Sequence, residues 1–553
     1  STKGGMISDM DREFLSSCGV ELAPTKRQLQ FRQRFYLYQQ LTKPSERLYL
    51  SYALMDNAEK EIRPSYFVGT VRNLFPGLEV RKITADSDAE HISELFSQCA
   101  VLLRKHTEGI LKEQETSRLY IMLFTLQQYG SLEMVNTLVE EAFLSGGNER
   151  LDAQIASKLY GSVLYGSISR LEQYAACPYS HFLKYGLGLR EPKEFVLESA
   201  DVGNIFHDVL AGFGKDLEQD GYTWKDFPLS YGEEKVSRRL AFIREQYGDE
   251  LLLDKARNGY ALSRAERILK RSLQVLQKHM QAGEFTTYGL EIDFDVSCEW
   301  NATRELMMRL QGRIDRLDVS VAEDDMYVKV VDYKSGNKQL ELDCVYAGLQ
   351  MQLVVYMDSA VKMLKERYPK KNIHPAAMFY YRVADPVVSV EGAENFEELP
   401  DALLKEQRSR GLLNCDPKIV HLLDKDMETA SKVIPLTLKK DGSPAKGSGA
   451  CTEEQFTIMQ EFMQHKLYEM GKEIVTGHIE KSPYTRKSQE DGCTYCPYKG
   501  VCGFDEKQYG YQKRQIEPVS AEEVWQKMQE ICHQEGDLRS NGSNIYSRPA
   551  KGY

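Results

Sequence analysis

From Arg27 to Leu41, Leu29, Phe31, Phe35, Tyr38 and Leu41 recur near helical spacing and predict a helix. The period then changes: Leu48, Leu50, Tyr52 and Leu54 alternate with Arg47, Tyr49, Ser51 and Ala53, the pattern of a half-buried strand. From there to about residue 165 the chain reads mainly helical, with apolar clusters such as Tyr120 to Leu126. Gly161, Gly166 and Ser167 interrupt this pattern and place a linker and a domain boundary within 159–169. Ser169 is the expected cap of a helix running through Tyr185, broken midway by Cys177 and Pro178 and stopped by Gly186 to Gly188. Gly203 to Leu217 reads as a short helix carrying His207.

Between 286 and 334 the period becomes two. Leu290, Ile292, Phe294, Val296 and Cys298 share one face, with Glu291, Asp293 and Asp295 on the other. The second run, Met308 to Val319, switches parity from Leu310 and Ile314 to Leu317 and Val319, which predicts a bend or bulge near Asp315. The third, Met326 to Lys334, puts Val328, Val330, Asp332 and Lys334 on one side. A helix over Val345 to Lys365 and a strand over Ala376 to Arg382 complete a sheet flanked by helices. Residues 385–451 read as a looped insertion, and the Ser-, Asn- and Gly-rich tail after Gly536 as disordered.

A chain of 553 residues is long enough for roughly two to four domains. No run of 18 apolar residues is present, which excludes an ordinary membrane-spanning helix. The net charge of -11 means that a nucleic-acid partner must be held by a local basic groove rather than by overall charge. The opening Ser-Thr-Lys-Gly-Gly, with no initiator Met, reads as the middle of a longer protein. Eleven cysteines without a secretory leader point to a reducing, cytoplasmic compartment, where spaced cysteines more often bind metal than pair.

Asp332 and Lys334 form D-Y-K at the end of a strand, and an i, i+2 pair must project to one face. Asp315 lies on the neighbouring strand, so pairing of the two brings the carboxylates together. Such anions resist ionising jointly unless a divalent cation neutralises them. Mg²⁺ typically uses one or two carboxylates plus substrate phosphate oxygens, so Asp315, Asp332 and the carbonyl of Tyr333 are a sufficient protein share. Lys334 is placed to orient water or to stabilise developing charge. His207 is a further candidate ligand, with Gly203 permitting close backbone approach. Gln352 and Tyr356, four apart on one helix face, suit contacts to phosphate or water, and Glu291 offers a possible extra carboxylate. A lone D-x-K is most often a surface ion pair, and a lone helical His a packed residue; the combination argues otherwise.

Cys493-x2-Cys496-x5-Cys502 supplies three thiolates, and Cys177 is the obvious fourth, 315 intervening residues upstream. A metal held there clips two distant ends of one domain, where closure entropy is large, and is structural rather than catalytic. Spacing alone allows Zn²⁺ or an iron-sulfur cluster, and the single far cysteine favours 4Fe-4S. The other seven cysteines follow no ligand spacing.

The series Gly203-x3-His207, Gly312-Arg-Ile-Asp315, Asp332-Tyr-Lys334 and Gln352-x3-Tyr356 resembles the RecB-type nuclease domain of the PD-(D/E)XK superfamily, in its iron-staple variety. Ser167-Ile-Ser-Arg-Leu-Glu-Gln-Tyr-Ala-Ala-Cys-Pro-Tyr179 and Gly492-Cys-Thr-Tyr-Cys-Pro-Tyr-Lys-Gly-Val-Cys-Gly-Phe-Asp505 resemble the cluster-binding ends of the AddB family of bacterial AddAB helicase-nucleases. A fainter likeness to that family's superfamily 1 helicase-like region covers Asp9-Met-Asp-Arg-Glu13 and the stretch from Leu41. Lys43 stands where active relatives carry Arg, and no G-x4-G-K-[ST] occurs, so these residues are not expected to hydrolyse ATP. The resemblance implies an α/β fold: a helix-rich remnant of the helicase-like region (1–165), a nuclease domain with a mixed sheet flanked by helices and closed by a 4Fe-4S cluster (166–510), and a C-terminal extension (511–553). It also implies a Mg²⁺- or Mn²⁺-dependent exonuclease acting on single-stranded DNA, on the 5′-ended strand, with an AddA-like motor as partner in double-strand break repair. A non-catalytic scaffold or Chi-recognition component of the same complex is the alternative, and a stand-alone exonuclease of the same superfamily a second.

Overall fold

The alternating stretch from 286 to 334 folds as three long antiparallel strands, and the remaining sheet assembles on them. The structure, a computed structural model, describes residues 9–20, 22–55, 60–80, 89, 91–143, 149–191, 199–246, 256–299, 306–386, 401–486, 491–506, 510–517 and 519–539. The chain divides into two compact units, Ser1–Glu94 and Leu95–Tyr553.

In the first unit, the described helices are α1 (Asp9–Ser17), α2 (Lys26–Thr42) and α3 (Tyr66–Leu74). Thr25 caps α2 reciprocally with Gln28 in a capping box. The strand expected over Arg47 to Leu54 is not formed: the segment is exposed, and only an isolated Met55–Glu61 bridge closes beside it among the described residues. Among the described residues, alternation there finds no partner strand on which to bury a face.

Helix α4 (Ile92–Thr107) spans the division between the units. Within the second unit its buried Cys99, Leu102 and Leu103 pack with α5 (Glu113–Tyr129) and α6 (Leu132–Ala142) as a separate small core. Helix α7 (Ala153–Tyr160) leads to β1 (Leu164–Gly166), which pairs in parallel with Met308–Leu310, so residues 164–166 of the Gly- and Ser-rich stretch form an edge strand of the sheet. Ser167, two residues before the expected cap, precedes α8 (Ile168–Ala176), and Pro178 opens α9 (Pro178–His181) at its tolerated first position. Helices α10 (Ser199–Asp220), α11 (Leu229–Gln246) and α12 (Ala256–Ala282) follow.

Strands β2 (Thr286–Glu299), β3 (Leu306–Val321) and β4 (Asp325–Lys334) form the antiparallel heart of the sheet. No bulge occurs in β3 at Asp315. The register slips in β2 instead, between Thr287 and Gly289, and Glu291 adopts φ +50°, a conformation non-glycine residues rarely take. The parity switch has another cause: Ile314 to Val319 are all buried because helices cover both faces. The expected Val345–Lys365 helix is broken into α13 (Leu342–Tyr346) and α14 (Gln352–Arg367), because Gly348 takes φ +80° between them. Strand β5 (Asn372–Arg382) runs parallel to β4.

The supposed insertion contributes α15 (Asp401–Glu406), α16 (Pro417–Leu423) and two strands of the sheet, β6 (Arg410–Asn414) and β7 (Ala450–Cys451). The sheet order is β1-β3-β4-β5-β6-β7, with β2 also paired to β3. Helix α17 (Glu453–Val475) precedes a small parallel pair, β8 (Tyr484–Arg486) and β9 (Arg514–Ile516), with α18 (Lys499–Cys502) between them and α19 (Ala521–Arg539) after. Residues from α8, α14, α17 and α19 build the core on one sheet face, and α10 to α12 the core on the other. Residues 540–553 of the expected disordered tail lie outside the described residues. No helix among the described residues is long and apolar enough to cross a membrane.

Candidate metal centre and cysteine pocket

Asp332 is fully buried near the end of β4, facing α14, and pairs in register with Tyr380 of β5. Lys334, on the same face, sets its Nζ 2.5 Å from Asp332 Oδ2 and donates to Gln352 Oε1 at 3.1 Å. Gln352 in turn donates from Nε2 to the Tyr356 hydroxyl at 2.7 Å. The predicted i, i+2 and i, i+4 pairs therefore form one chain of contacts. Asp315 approaches from β3: its Oδ2 accepts the Tyr333 amide at 2.8 Å and lies 3.2 Å from His207 Nδ1 of α10. It is the Tyr333 amide that makes this contact, while the Tyr333 ring is buried on the opposite face beside His207.

Glu291 completes the group. One ligand atom each from His207, Glu291 and Asp315 lies within 4.8 Å of the others. The unusual φ of Glu291 keeps its carboxylate near Asp315, on the adjoining strand, rather than on a solvated face with Asp293. Arg313 reaches it at 3.5 Å.

The electrostatics fit a cation. Burial, then the Asp315 charge, pushes the Asp332 carboxyl up to about 6 despite Lys334. Burial and Asp315 likewise raise Glu291. Burial pulls His207 down, but its hydrogen bond to Asp315 and the Asp315 and Asp332 charges outweigh this and raise it. Among the described residues, neither oxygen of Asp332 accepts a well-aligned hydrogen bond, an unusual state for a buried carboxylate. The His207 imidazole and the Glu291 and Asp315 carboxylates, with Asp332 outside that group but within reach of the Asp315 charge, match the donors that a hard divalent ion takes.

Two supporting residues escape a sequence reading. Glu172 of α8 accepts the Met351 and Gln352 amides on Oε1, at 2.8 and 3.2 Å, and so anchors the start of α14 and with it Gln352. Helical periodicity gives no signal for a partner 179 residues away. Gly312, opposite Phe294, lets that ring lie across the sheet: an added Cβ would stand 2.5 Å from it, and Phe294 packs edge-on against Tyr356. Gly203 proves less demanding than expected, since an added Cβ there meets only Ser335 Oγ, at 3.7 Å.

Elsewhere in the second unit, Cys177, Cys493, Cys496 and Cys502 line one cavity of about 400 Å³. Cys177 sits at the α8–α9 junction, and burial pushes its thiol up to about 11, with the charges of Cys502 and Cys493 adding to the rise. Gly492 lies so close to α8 that a Cβ would meet the Ala176 carbonyl at 2.9 Å. Arg514 ties the two arms, donating to Ser482 O at 2.8 Å and to Ala176 O at 3.4 Å.

The family model described as "PD-(D/E)XK nuclease superfamily" matches residues 166–503. The chain is 34% identical over 541 residues to a protein of Lachnoclostridium phytofermentans named as a subunit of an "ATP-dependent helicase/deoxyribonuclease", covering 94% of this chain and 45% of that protein. Proteins of the same name from Pelotomaculum thermopropionicum and Clostridium acetobutylicum are each 31% identical, over 96% and 97% of this chain and 46% and 47% of theirs. The chain thus spans about half the length of the curated relatives it matches.

Proposed function

The chain belongs to the PD-(D/E)XK nuclease superfamily, and from that premise we propose that it is the metal-dependent nuclease part of a helicase-nuclease, hydrolysing phosphodiesters of single-stranded DNA. The observation that carries this is the convergence of Asp315, Asp332 and Lys334 with His207 and Glu291. A scaffold with no chemistry to perform has no use for a fully buried carboxylate with a lysine ammonium 2.5 Å away.

Asp315, Asp332, His207 and the Tyr333 carbonyl are the proposed ligands of Mg²⁺ or Mn²⁺, with Glu291 as a further one. Such an ion, when bound, polarises water and offsets charge building on the phosphoryl oxygens. Asp315 is pre-oriented by the Tyr333 amide and His207. Lys334, held between Asp332 and Gln352, orients the nucleophilic water. The water oxygen forms the new bond to phosphorus as the bond to the 3′-oxygen breaks, leaving a 3′-hydroxyl and a 5′-phosphate. Gln352 and Tyr356 hold the phosphate or the water.

The four-cysteine cavity fits a 4Fe-4S cluster that joins residue 177 to residues 493–502. Division into a helicase-like part (1–165), a nuclease domain (166–510) and an extension (511–553), an AddA-like motor partner, cutting of the 5′-ended strand and a cytoplasmic setting belong to the same reading. The relatives' names, which pair a helicase with a deoxyribonuclease, support it. Asp332→Ala, with fold and metal content of the cysteine site intact, is expected to lower Mg²⁺-dependent degradation of single-stranded DNA by about 100-fold or more. Cutting at the parental rate would refute the assignment.

A further inference from the structure

We propose that Arg382, Arg408 and Arg410 form a phosphate subsite that holds the DNA backbone next to the scissile bond. This rests on the nuclease reading and goes beyond it by naming where the strand lies.

The sheet register places them. Asp332 of β4 is opposite Tyr380 of β5, and Tyr380 is opposite Arg410 of β6. Side chains in one such row share a face, so Arg410 stands two strands, roughly 10 Å, from Asp332 on the α14 face. One pleat further along, Lys334 is opposite Arg382. Two basic residues of neighbouring strands thus continue the row that bears the catalytic pair.

Their surroundings leave these charges unanswered. None of the three arginines makes an ion pair among the described residues, whereas nearby Arg486 is held by Glu341 and Asp343. Arg410 donates only to the neutral Asn337 side chain among the described residues, and Arg382 Nε is buried without a hydrogen-bond partner. Glu406 is the acid acting on Arg410, against the charges of both Arg382 and Arg408. Clustered, partly buried guanidiniums repel and lose hydration, and a bidentate anion reverses both penalties. Lys338, its Nζ 5.1 Å from the Tyr380 ring centroid, adds to the same field.

Space for a strand is present. Arg408 and Arg410 line a cavity of about 650 Å³ together with Lys405, Gln339 and Gly411. Its acids are Glu341 and Asp343, both held by Arg486, and Glu406 beside Lys405; against these three, the four cations Lys405, Arg408, Arg410 and Arg486 leave the lining with a net charge of +1. A chain of regularly spaced phosphates, one of them at the metal centre, matches this layout, and no single small anion would span it.

The 553-residue chain is titrated with a fluorescent single strand of about 20 nucleotides, Ca²⁺ replacing Mg²⁺ to suppress cutting, at several salt concentrations. Arg408→Gln with Arg410→Gln is expected to weaken binding about tenfold or more and to shallow the slope of log K against log salt by about 1.4, at roughly 0.7 per lost phosphate contact. The corresponding double Lys variant retains most of the slope. In Mg²⁺, the Gln variant raises KM about tenfold and leaves kcat within about twofold. Unchanged affinity and slope in a Gln variant that melts like the parent overturns the proposal. If the double variant misfolds, Arg408→Gln alone is read against half of each effect, and no change again overturns it. Failure of the nuclease reading shows separately, as cutting that survives Asp332→Ala.

Discussion

Asp332 concentrates the physical tension of the molecule. A carboxyl whose folded pKa is about 6, against an ordinary 3.8, binds its proton more tightly folded than unfolded. Its contribution to stability is therefore full below pH 3.8 and is lost as pH rises through about 6. Metal-free Asp332→Asn should melt several degrees above the metal-free parent at about pH 7.5, with the difference vanishing towards about pH 4; thermal melts in a chelator across that range check it. The same ionisation is what a cation requires, so metal affinity of the parent should rise with pH through about 6, measurable by calorimetry with Mn²⁺. Gly312 carries a different constraint. A Cβ there meets the Phe294 ring, so Gly312→Ala should push that ring against Tyr356, destabilise the domain by about 1–3 kcal/mol and slow cutting. Equal denaturation midpoints for variant and parent would contradict this.

At the scale of elements, the site depends on where α14 begins. The break at Gly348 makes Gln352 the first residue of that helix, and its free amide is answered by Glu172 from α8. Glu172→Ala strips two helix-start amides of their acceptor, which costs about 1–3 kcal/mol and lets Gln352 drift from Lys334. The expected signature is a fall in kcat of about tenfold or more with KM little changed, partly restored by Glu172→Gln, whose amide oxygen still accepts. A fall confined to kcat/KM through KM would point to a DNA contact instead. These elements also show which readings of the sequence hold. Strands β2 to β4 are legible because period-two alternation is set by the chain alone. The Arg47–Leu54 alternation is identical in kind yet forms no strand, since pairing is a property of two segments. The irregularity expected in β3 appears across the ladder at Glu291 for the same reason.

Over the whole molecule, the cysteine pocket joins distant chain segments, with Cys177 at one end and Cys493, Cys496 and Cys502 at the other. The cluster proposed for this pocket would act as a clip, and its loss would free the segment carrying α18, β9 and α19. Cys177→Ser should yield a colourless protein lacking stoichiometric iron, with a melting temperature lowered by several degrees or more, read by visible absorption and metal analysis. A colourless parent holding tightly bound zinc would replace the iron-sulfur assignment and keep the clip.

The order of chemistry along the chain was decided by the sequence: D-Y-K on one strand face, Gly-Arg-Ile-Asp on the strand before it, Gln352 and Tyr356 one helical turn apart, and a lone cysteine far from three. Short-range geometry suffices for these, because strand and helix periods dictate which side chains share a face. Tertiary structure alone decided that Glu291 joins Asp315, that Glu172 holds the start of α14, that residues 410–414 extend the sheet, and that arginines from two strands line up beside Asp332. Each of these depends on register between distant segments, which is set by packing both sheet faces at once and leaves no trace in any local pattern.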